Sequence, residues 1–140
     1  MRIFFDTSPF IYLLEGHAEY GPLVNTLILR EIADQSTFIT SVITLAEFGV
    51  IPYRNNRMDI IADFEQIIDE LSFEMINIEA KHAKLSFQLR SRYESLKAFD
   101  ALQLSCAILA GCDFFFTNDY RLKNIQEIKV VTIDEYLPKK

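Results

Sequence analysis

Short apolar runs rich in aromatic and β-branched residues alternate along the chain with longer segments whose apolar positions recur three and four residues apart. That alternation predicts an α/β domain with a largely parallel sheet, since strands joined through helices run in the same direction. The predicted strands are Arg2–Asp6, Thr37–Ser41, Phe73–Ile78, Asp113–Thr117 and Lys129–Thr132. Between the first two, Tyr20, Leu23, Val24, Leu27, Ile28 and Ile32 share one helical face, as do Ile60, Ile61, Phe64, Ile67, Ile68 and Leu71 further on. Phe99–Ala110 is apolar on nearly every side except at Asp100, Gln103 and Ser105, which predicts a deeply buried helix stopped by Gly111. Ser41–Ile51 reads as a further helix, capped by Ser41 and ended by Pro52. No repeat, low-complexity tract or Pro/Gly-rich linker intervenes, so residues 1–140 are expected to form one domain with Pro138-Lys139-Lys140 as a loose end.

Four acids interrupt this pattern at the polar edges of apolar stretches: Asp6, Glu47, Asp100 and Asp119. An acid so placed carries a desolvation cost that calls for a partner. Asp6 ends the run Ile3-Phe4-Phe5, and ligands of parallel sheets collect beyond the carboxyl ends of strands. Ser8 is the expected cap of the following helix, because Pro9 suits the first helical position, and this leaves Asp6 free for chemistry. Around Glu47, the residues Val42, Ile43, Leu45, Ala46, Phe48, Val50 and Ile51 leave little room for a solvated face. Asp100 is favoured early in its helix by the helix dipole, yet is expensive to bury unpaired. Asp119 follows Phe114-Phe115-Phe116-Thr117-Asn118, where capping of a short helix by Asp119 or Thr117 competes with a ligand role.

Gathered at one sheet edge, these carboxylates would repel each other unless partly protonated or neutralised by a cation. Hard oxygen donors without nearby His or Cys select Mg²⁺ or Mn²⁺ over zinc or copper. His17 and His82 are isolated and read as ordinary surface or boundary residues. Cys106 and Cys112 lack zinc-site spacing and read as reduced, buried thiols. There is no Ser/His/Asp pattern, Walker loop or GxGxxG.

A net charge of −6 argues against general adhesion to nucleic acid, but the charge is unevenly spread. Lys81, Lys84, Arg90, Arg92 and Lys97 face Glu94 alone within their segment, which carries +4 and leaves −10 to the rest of the chain. Together with Arg121 and Lys123 this block could grip phosphates, with a solvated helix face as the competing reading. Asp59 to Glu79 holds seven acids and no Lys or Arg, and reads as a solvated face. The N-terminal apolar run is far shorter than a signal peptide or membrane span, so a cytoplasmic protein without a membrane partner is expected.

The pieces Ile3-Phe4-Phe5-Asp6-Thr7-Ser8, Thr40-Ser41-Val42-Ile43-Thr44-Leu45-Ala46-Glu47, Asp100-Ala101-Leu102-Gln103-Leu104-Ser105 and Thr117-Asn118-Asp119 resemble, in this order and spacing, a PIN domain. The resemblance covers essentially the whole chain and is to the small VapC-like toxin ribonucleases of VapBC toxin–antitoxin modules. It implies a PIN-like three-layer α/β/α fold with a central five-stranded parallel sheet, and metal-dependent endonuclease action on RNA that leaves a 5′-phosphate and a 3′-hydroxyl. Carried over by position, Asp6, Glu47, Asp100 and Asp119 would be the catalytic and Mg²⁺-binding acids, with Mn²⁺ able to substitute, and Ser8 and Thr117 would support them. Arg90, Arg92, Lys97 and Arg121 are the expected RNA contacts, and an antitoxin and a second copy of the chain are the expected protein partners. The alternatives are a PIN-like module that binds RNA or protein without cutting, and an aspartate-based phosphotransfer domain. The latter lacks the second acid near Asp6 that a haloacid-dehalogenase-like phosphatase or a receiver domain wants.

Overall fold

In the computed structural model, which describes Met1–Tyr136, the strands are β1 (Arg2–Phe5), β2 (Thr37–Ser41), β3 (Glu74–Ile76), β4 (Phe114–Thr117) and β5 (Lys129–Thr132). The expected loose end at Pro138-Lys139-Lys140 lies outside the described residues. The strands pair in parallel throughout, in the order β3-β2-β1-β4-β5. The helices are α1 (Thr7–Leu14), α2 (Tyr20–Ala33), α3 (Val42–Phe48), α4 (Val50–Arg54), α5 (Met58–Glu70), α6 (Ala80–Arg92) and α7 (Ala98–Leu109). Short 3₁₀ helices follow β4 at Tyr120–Asn124 and β5 at Ile133–Tyr136.

The pleat of the two central strands explains the layering. Ile3, Phe4 and Phe5 register with Phe114, Phe115 and Phe116. Successive strand residues point to opposite faces. Ile3, Phe5, Phe114 and Phe116 therefore join Phe10, Val24, Leu27, Phe38 and Phe64 in one core. Phe4 and Phe115 join Ile39, Leu89, Leu104 and Ala107 in the other. A parallel sheet buried on both faces requires such continuous apolar strands. The result is the expected five-stranded, three-layer fold.

From β1 the chain builds outward through β2 and β3, then crosses to the other side of β1 for β4 and β5. After β1 it packs into the first core through Phe10, and after β4 into the second through Leu122 and Ile125. A crevice opens where neighbouring strands send their connections to opposite faces. The carboxyl ends of β1 and β4 form that crevice here.

Local details differ from the sequence reading. Helix α1 begins at Thr7 with Asp6, not Ser8, as N-cap. Asp is as good a cap as Ser, and Pro9 then falls in the first turn, where a missing N–H leaves no intrahelical bond unmade. Pro52 likewise does not end a helix: α3 stops at Phe48, and Pro52 lies buried in the first turn of α4. The α3–α4 segment is not closed to solvent, since Leu45, Val50 and Ile51 are 41%, 49% and 48% exposed. In α7 the burial runs from Ala101 and Gln103 to Ala107, while Phe99 and Leu109 are exposed. His82 is buried rather than at a boundary, because its Nδ1 accepts the Glu79 N–H at 2.9 Å. Cys106 and Cys112 are free, and burial pushes their thiols up to about 11 and about 12. No helix among the described residues is long and apolar enough to cross a membrane.

Candidate active site

Asp6 leaves β1 at the crevice with its amide still donating to the Phe116 carbonyl of β4, at 2.9 Å. Asp6 is 8% exposed. Oδ1 accepts the Thr7 N–H at 2.8 Å and, more loosely, Gln103 Nε2 at 3.4 Å, while Oδ2 accepts the Thr117 hydroxyl at 2.8 Å. Burial raises its pKa to about 6. The Thr117 and Thr7 bonds pull the other way, and Asp100 and Glu47 add to the rise. Both capping and a place in the crevice thus fall to the same side chain.

Glu47 sits on the exposed side of α3, where Oε1 accepts the Thr7 hydroxyl at 2.7 Å. Asp100 is half-buried in the first turn of α7. Burial, then the charges of Asp119 and Glu47, raise its pKa, against opposing pulls from Arg121 and Lys97. Asp119 caps the 3₁₀ helix Tyr120–Asn124 by accepting the Arg121 N–H at 3.0 Å. The Arg121 guanidinium also grips it through Nε at 2.9 Å and Nη2 at 2.7 Å, which holds its carboxyl below the usual range. All four acids line one cleft of about 520 Å³, with Ser8, Tyr12, Thr117 and Asn118 among the other walls.

A buried polar network fastens the cleft from below. Gln103, 1% exposed on α7, donates through Nε2 to the Thr44 hydroxyl at 2.7 Å, and its Oε1 accepts the Ser41 hydroxyl. Thr40 donates to the Phe5 carbonyl at 2.8 Å, with the Thr44 hydroxyl also within 2.8 Å. Ser8, displaced from the cap position, accepts the Asn118 N–H through Oγ at 3.0 Å, and Thr117 Oγ accepts the Asp119 N–H at 3.1 Å. Asn118 Nδ2 donates to the Tyr12 hydroxyl at 3.0 Å, leaving Asn118 Oδ1 buried with no partner among the described residues. Sequence reasoning assigned no role to Gln103, Thr7, Thr44 or Tyr12. Gln103 was visible as a break in an apolar run, whereas Tyr12 gave no signal.

Among the described residues no three Asp, Glu, His or Cys side chains are arranged to hold one ion between them. Mg²⁺ does not need such a cage: it is commonly held through one or two carboxylates and keeps several waters. An all-oxygen cleft with four acids and an unpartnered amide oxygen therefore fits a hard divalent cation by chemical type. Asp119 is the least available donor because Arg121 already neutralises it.

The expected phosphate contacts divide. Lys97 and Arg121 line a smaller pocket that shares Asp100 and Asp119 with the cleft. Arg90 instead spends Nε on the Leu96 carbonyl at 3.2 Å, fastening the α6–α7 turn. Arg92 lies 3.8 Å from Glu127, and Lys123 lies 3.3 Å from Glu135. Neither Arg90 nor Arg92 lines the cleft or the adjoining pocket.

The fold is similar to several solved toxin–antitoxin proteins. A chain of VapBC2 from Rickettsia felis, bound to a DNA fragment from its promoter, superposes with a TM-score of 0.76 at 22% identity, covering 94% of this chain and 98% of that one. A toxin–antitoxin complex from Klebsiella pneumoniae gives 0.66 at 26% identity, covering 94% and 97%. VapC20 from Mycobacterium tuberculosis, a toxin that cleaves the sarcin–ricin loop, gives 0.67 at 16% identity, covering 91% and 98%. Among curated protein sequences none matches. The family profile of the PIN domain matches residues 3–128, a span that takes in the crevice and every acid around it, and the chain therefore belongs to the PIN domain family.

Proposed function

We propose that the chain is a Mg²⁺-dependent endoribonuclease, the toxin of a VapBC-type module, with Mn²⁺ able to substitute. The observation that carries this reading is the placement of Asp6, Glu47, Asp100 and Asp119 around one cleft at the β1–β4 crevice. Membership of the PIN domain family and the toxin–antitoxin character of the similar structures support it. When bound, a divalent ion supplies Lewis acidity to a phosphate oxygen and lowers the pKa of a water. Asp6, Glu47 and Asp100 would hold it.

The protein's own residues prepare that task. Thr7 and Thr117 orient the Asp6 oxygens, and Thr7 also fixes Glu47, so that one hydroxyl-bearing turn sets the positions of two acids. Lys97 and Arg121 offset the repulsion that clustered carboxylates exert on a phosphate chain. Exposed Leu45, Val50, Ile51 and Tyr53 lie along α3 and α4 near Glu47. An apolar surface of that kind fits a protein partner, here an antitoxin or a second copy of the chain. Light scattering of the chain alone and with its antitoxin tests both.

The reading is tested by incubating purified protein with total RNA and Mg²⁺, with and without Asp100→Asn. Cleavage by wild type that falls at least ~100-fold in the variant, with the circular dichroism unchanged, is the expected result. Equal cleavage by both would refute the assignment. Calorimetric titration with Mn²⁺ separates this reading from a non-cutting module. Affinity should drop from pH 7 to pH 5, by about tenfold per pH step below the Asp6 value of about 6, because protons compete for the carboxylates. Arg121→Ala should bind Mn²⁺ several-fold tighter than wild type, since a cation then meets Asp119 without first displacing a guanidinium. A flat pH response, or weaker binding by Arg121→Ala, would count against these roles.

A further inference from the structure

The hydroxyl groups of Thr7, Ser8, Tyr12 and Thr117 line the acid cleft. Two of them are committed to acids: Thr7 donates to Glu47 at 2.7 Å and Thr117 to Asp6 at 2.8 Å. The other two are engaged the opposite way round. Asn118 donates to both, through its backbone N–H to Ser8 Oγ and through Nδ2 to the Tyr12 hydroxyl, each at 3.0 Å. A hydroxyl carries one proton besides its acceptor lone pairs. Among the described residues neither Ser8 nor Tyr12 has an acceptor for that proton, so both remain donors while Asn118 holds their oxygens. The Tyr12 ring is fixed as well, with His17 and Tyr20 packed steeply against it at centroid distances of 4.9 and 5.2 Å.

Unspent donors beside four carboxylates do not serve a cation, whose ligands are acceptors. They suit an anionic oxygen that enters with the cation, because a hydrogen bond to a charged acceptor is a strong one. We infer that Tyr12 and Ser8 donate to a phosphate oxygen of the RNA strand, with Asn118 as the residue that positions them. The inference rests on the endoribonuclease reading and deepens it. It also gives the strand a course. Ile11 and Tyr12 on α1 pack against the first core, whereas the segments carrying Lys97 and Arg121 pack into the second through Leu96 and Leu122. Cations thus stand on one side of the sheet edge and hydroxyl donors on the other, with the acids between them. A strand lying across the edge is held by positive charge at one end and by the hydroxyl pair at the other. Neutral donors suit the second place, since a further Lys or Arg there would pair with a carboxylate, as Arg121 does with Asp119.

The test reads binding by fluorescence anisotropy in Mg²⁺, with Asp100→Asn in every protein so that the strand stays whole. A labelled RNA strand is compared with the same strand carrying phosphorodithioates, whose sulfurs keep the charge but accept hydrogen bonds weakly. Tyr12→Phe retains the ring and should weaken the native strand about tenfold, as the loss of a hydrogen bond to a charged group does, and the dithioate strand less than about twofold. Ser8→Ala repeats the test from the other hydroxyl should Tyr12→Phe fold poorly. Asn118→Ala should cost several-fold by itself and nothing further in combination with Tyr12→Phe, whereas a residue that serves only the fold would add its cost in both backgrounds. Unchanged binding by Tyr12→Phe and Ser8→Ala, equal weakening of the two strands, or no binding of either strand by the parent would overturn the inference. A chain that shows the expected pattern yet cuts no RNA would defeat the nuclease reading and leave the hydroxyl pair standing. Cleavage that depends on Asp100, with binding indifferent to Tyr12 and Ser8, would keep the nuclease and remove the pair.

Discussion

Asp6→Asn protein is expected to melt higher than wild type at pH 7 in EDTA while losing RNA cleavage. An unfolded Asp ionises near 3.8, whereas the folded chain keeps a proton on Asp6 up to about 6. Between those values the folded state binds more protons than the unfolded one, so stability is fully present below 3.8, falls as pH rises, and levels off above 6. The interval corresponds to about 3 kcal/mol at neutral pH. Asparagine removes the charge, remains a good N-cap and can still accept the Thr7 N–H. A rise in melting temperature of roughly 6–10 °C is therefore expected at pH 7, shrinking toward zero below pH 4. Cleavage should fall at least ~100-fold, because the residue lost is a proposed direct ligand and even outer contacts of metal sites cost 10–100-fold. A variant that melts no higher at pH 7, or that cuts RNA as well as wild type, would contradict this account. Gain of stability with loss of function is the signature of an acid kept buried for chemistry.

How far this was legible in the sequence depends on whether a feature is local. The alternation of Ile3, Phe4 and Phe5 against Phe114, Phe115 and Phe116 exposes the two-faced sheet, since the pleat turns a period of two into two cores. Asp6 was placed at the strand end by the same pattern. The supporting argument was not sound, because Ser8 does not cap α1 and Asp6 does. Ser and Asp cap equally well, and the choice is made by where β1 releases the chain. Glu47 drew attention through apolar neighbours of which Leu45, Val50 and Ile51 turn out to be exposed. Composition cannot separate an apolar helix face covered by the core from one left open. Beyond reach were pairings set by the fold alone, Thr7 with Glu47 and Asn118 with Ser8.

The polar break at Gln103 leads to the second large effect. Asp100 and Gln103 are three residues apart on α7 and so share a face, which turns toward the carboxyl edge of the sheet. Gln103 is bonded there to Ser41 at the end of β2, to Thr44 in α3 and, at longer range, to Asp6 after β1. One amide thus ties the helix that carries Asp100 to the strand ends that carry the rest. Gln103→Leu keeps a branched side chain, one atom shorter, and removes every one of these bonds. Ser41 and Thr44 are both 0% exposed, and each buried group left short of a partner costs ~1–3 kcal/mol. A loss of about 3 kcal/mol in urea denaturation is expected, a large share of the ~5–15 kcal/mol that typically holds a domain together. Asp6 also loses an N–H donor, so its proton should be held to still higher pH and Mn²⁺ binding at pH 7 should weaken. If the Leu variant unfolds at the same urea concentration as wild type, Gln103 is not the tie that positions Asp6 and Asp100. If only stability falls and the pH dependence of Mn²⁺ binding stays put, its role ends at the fold.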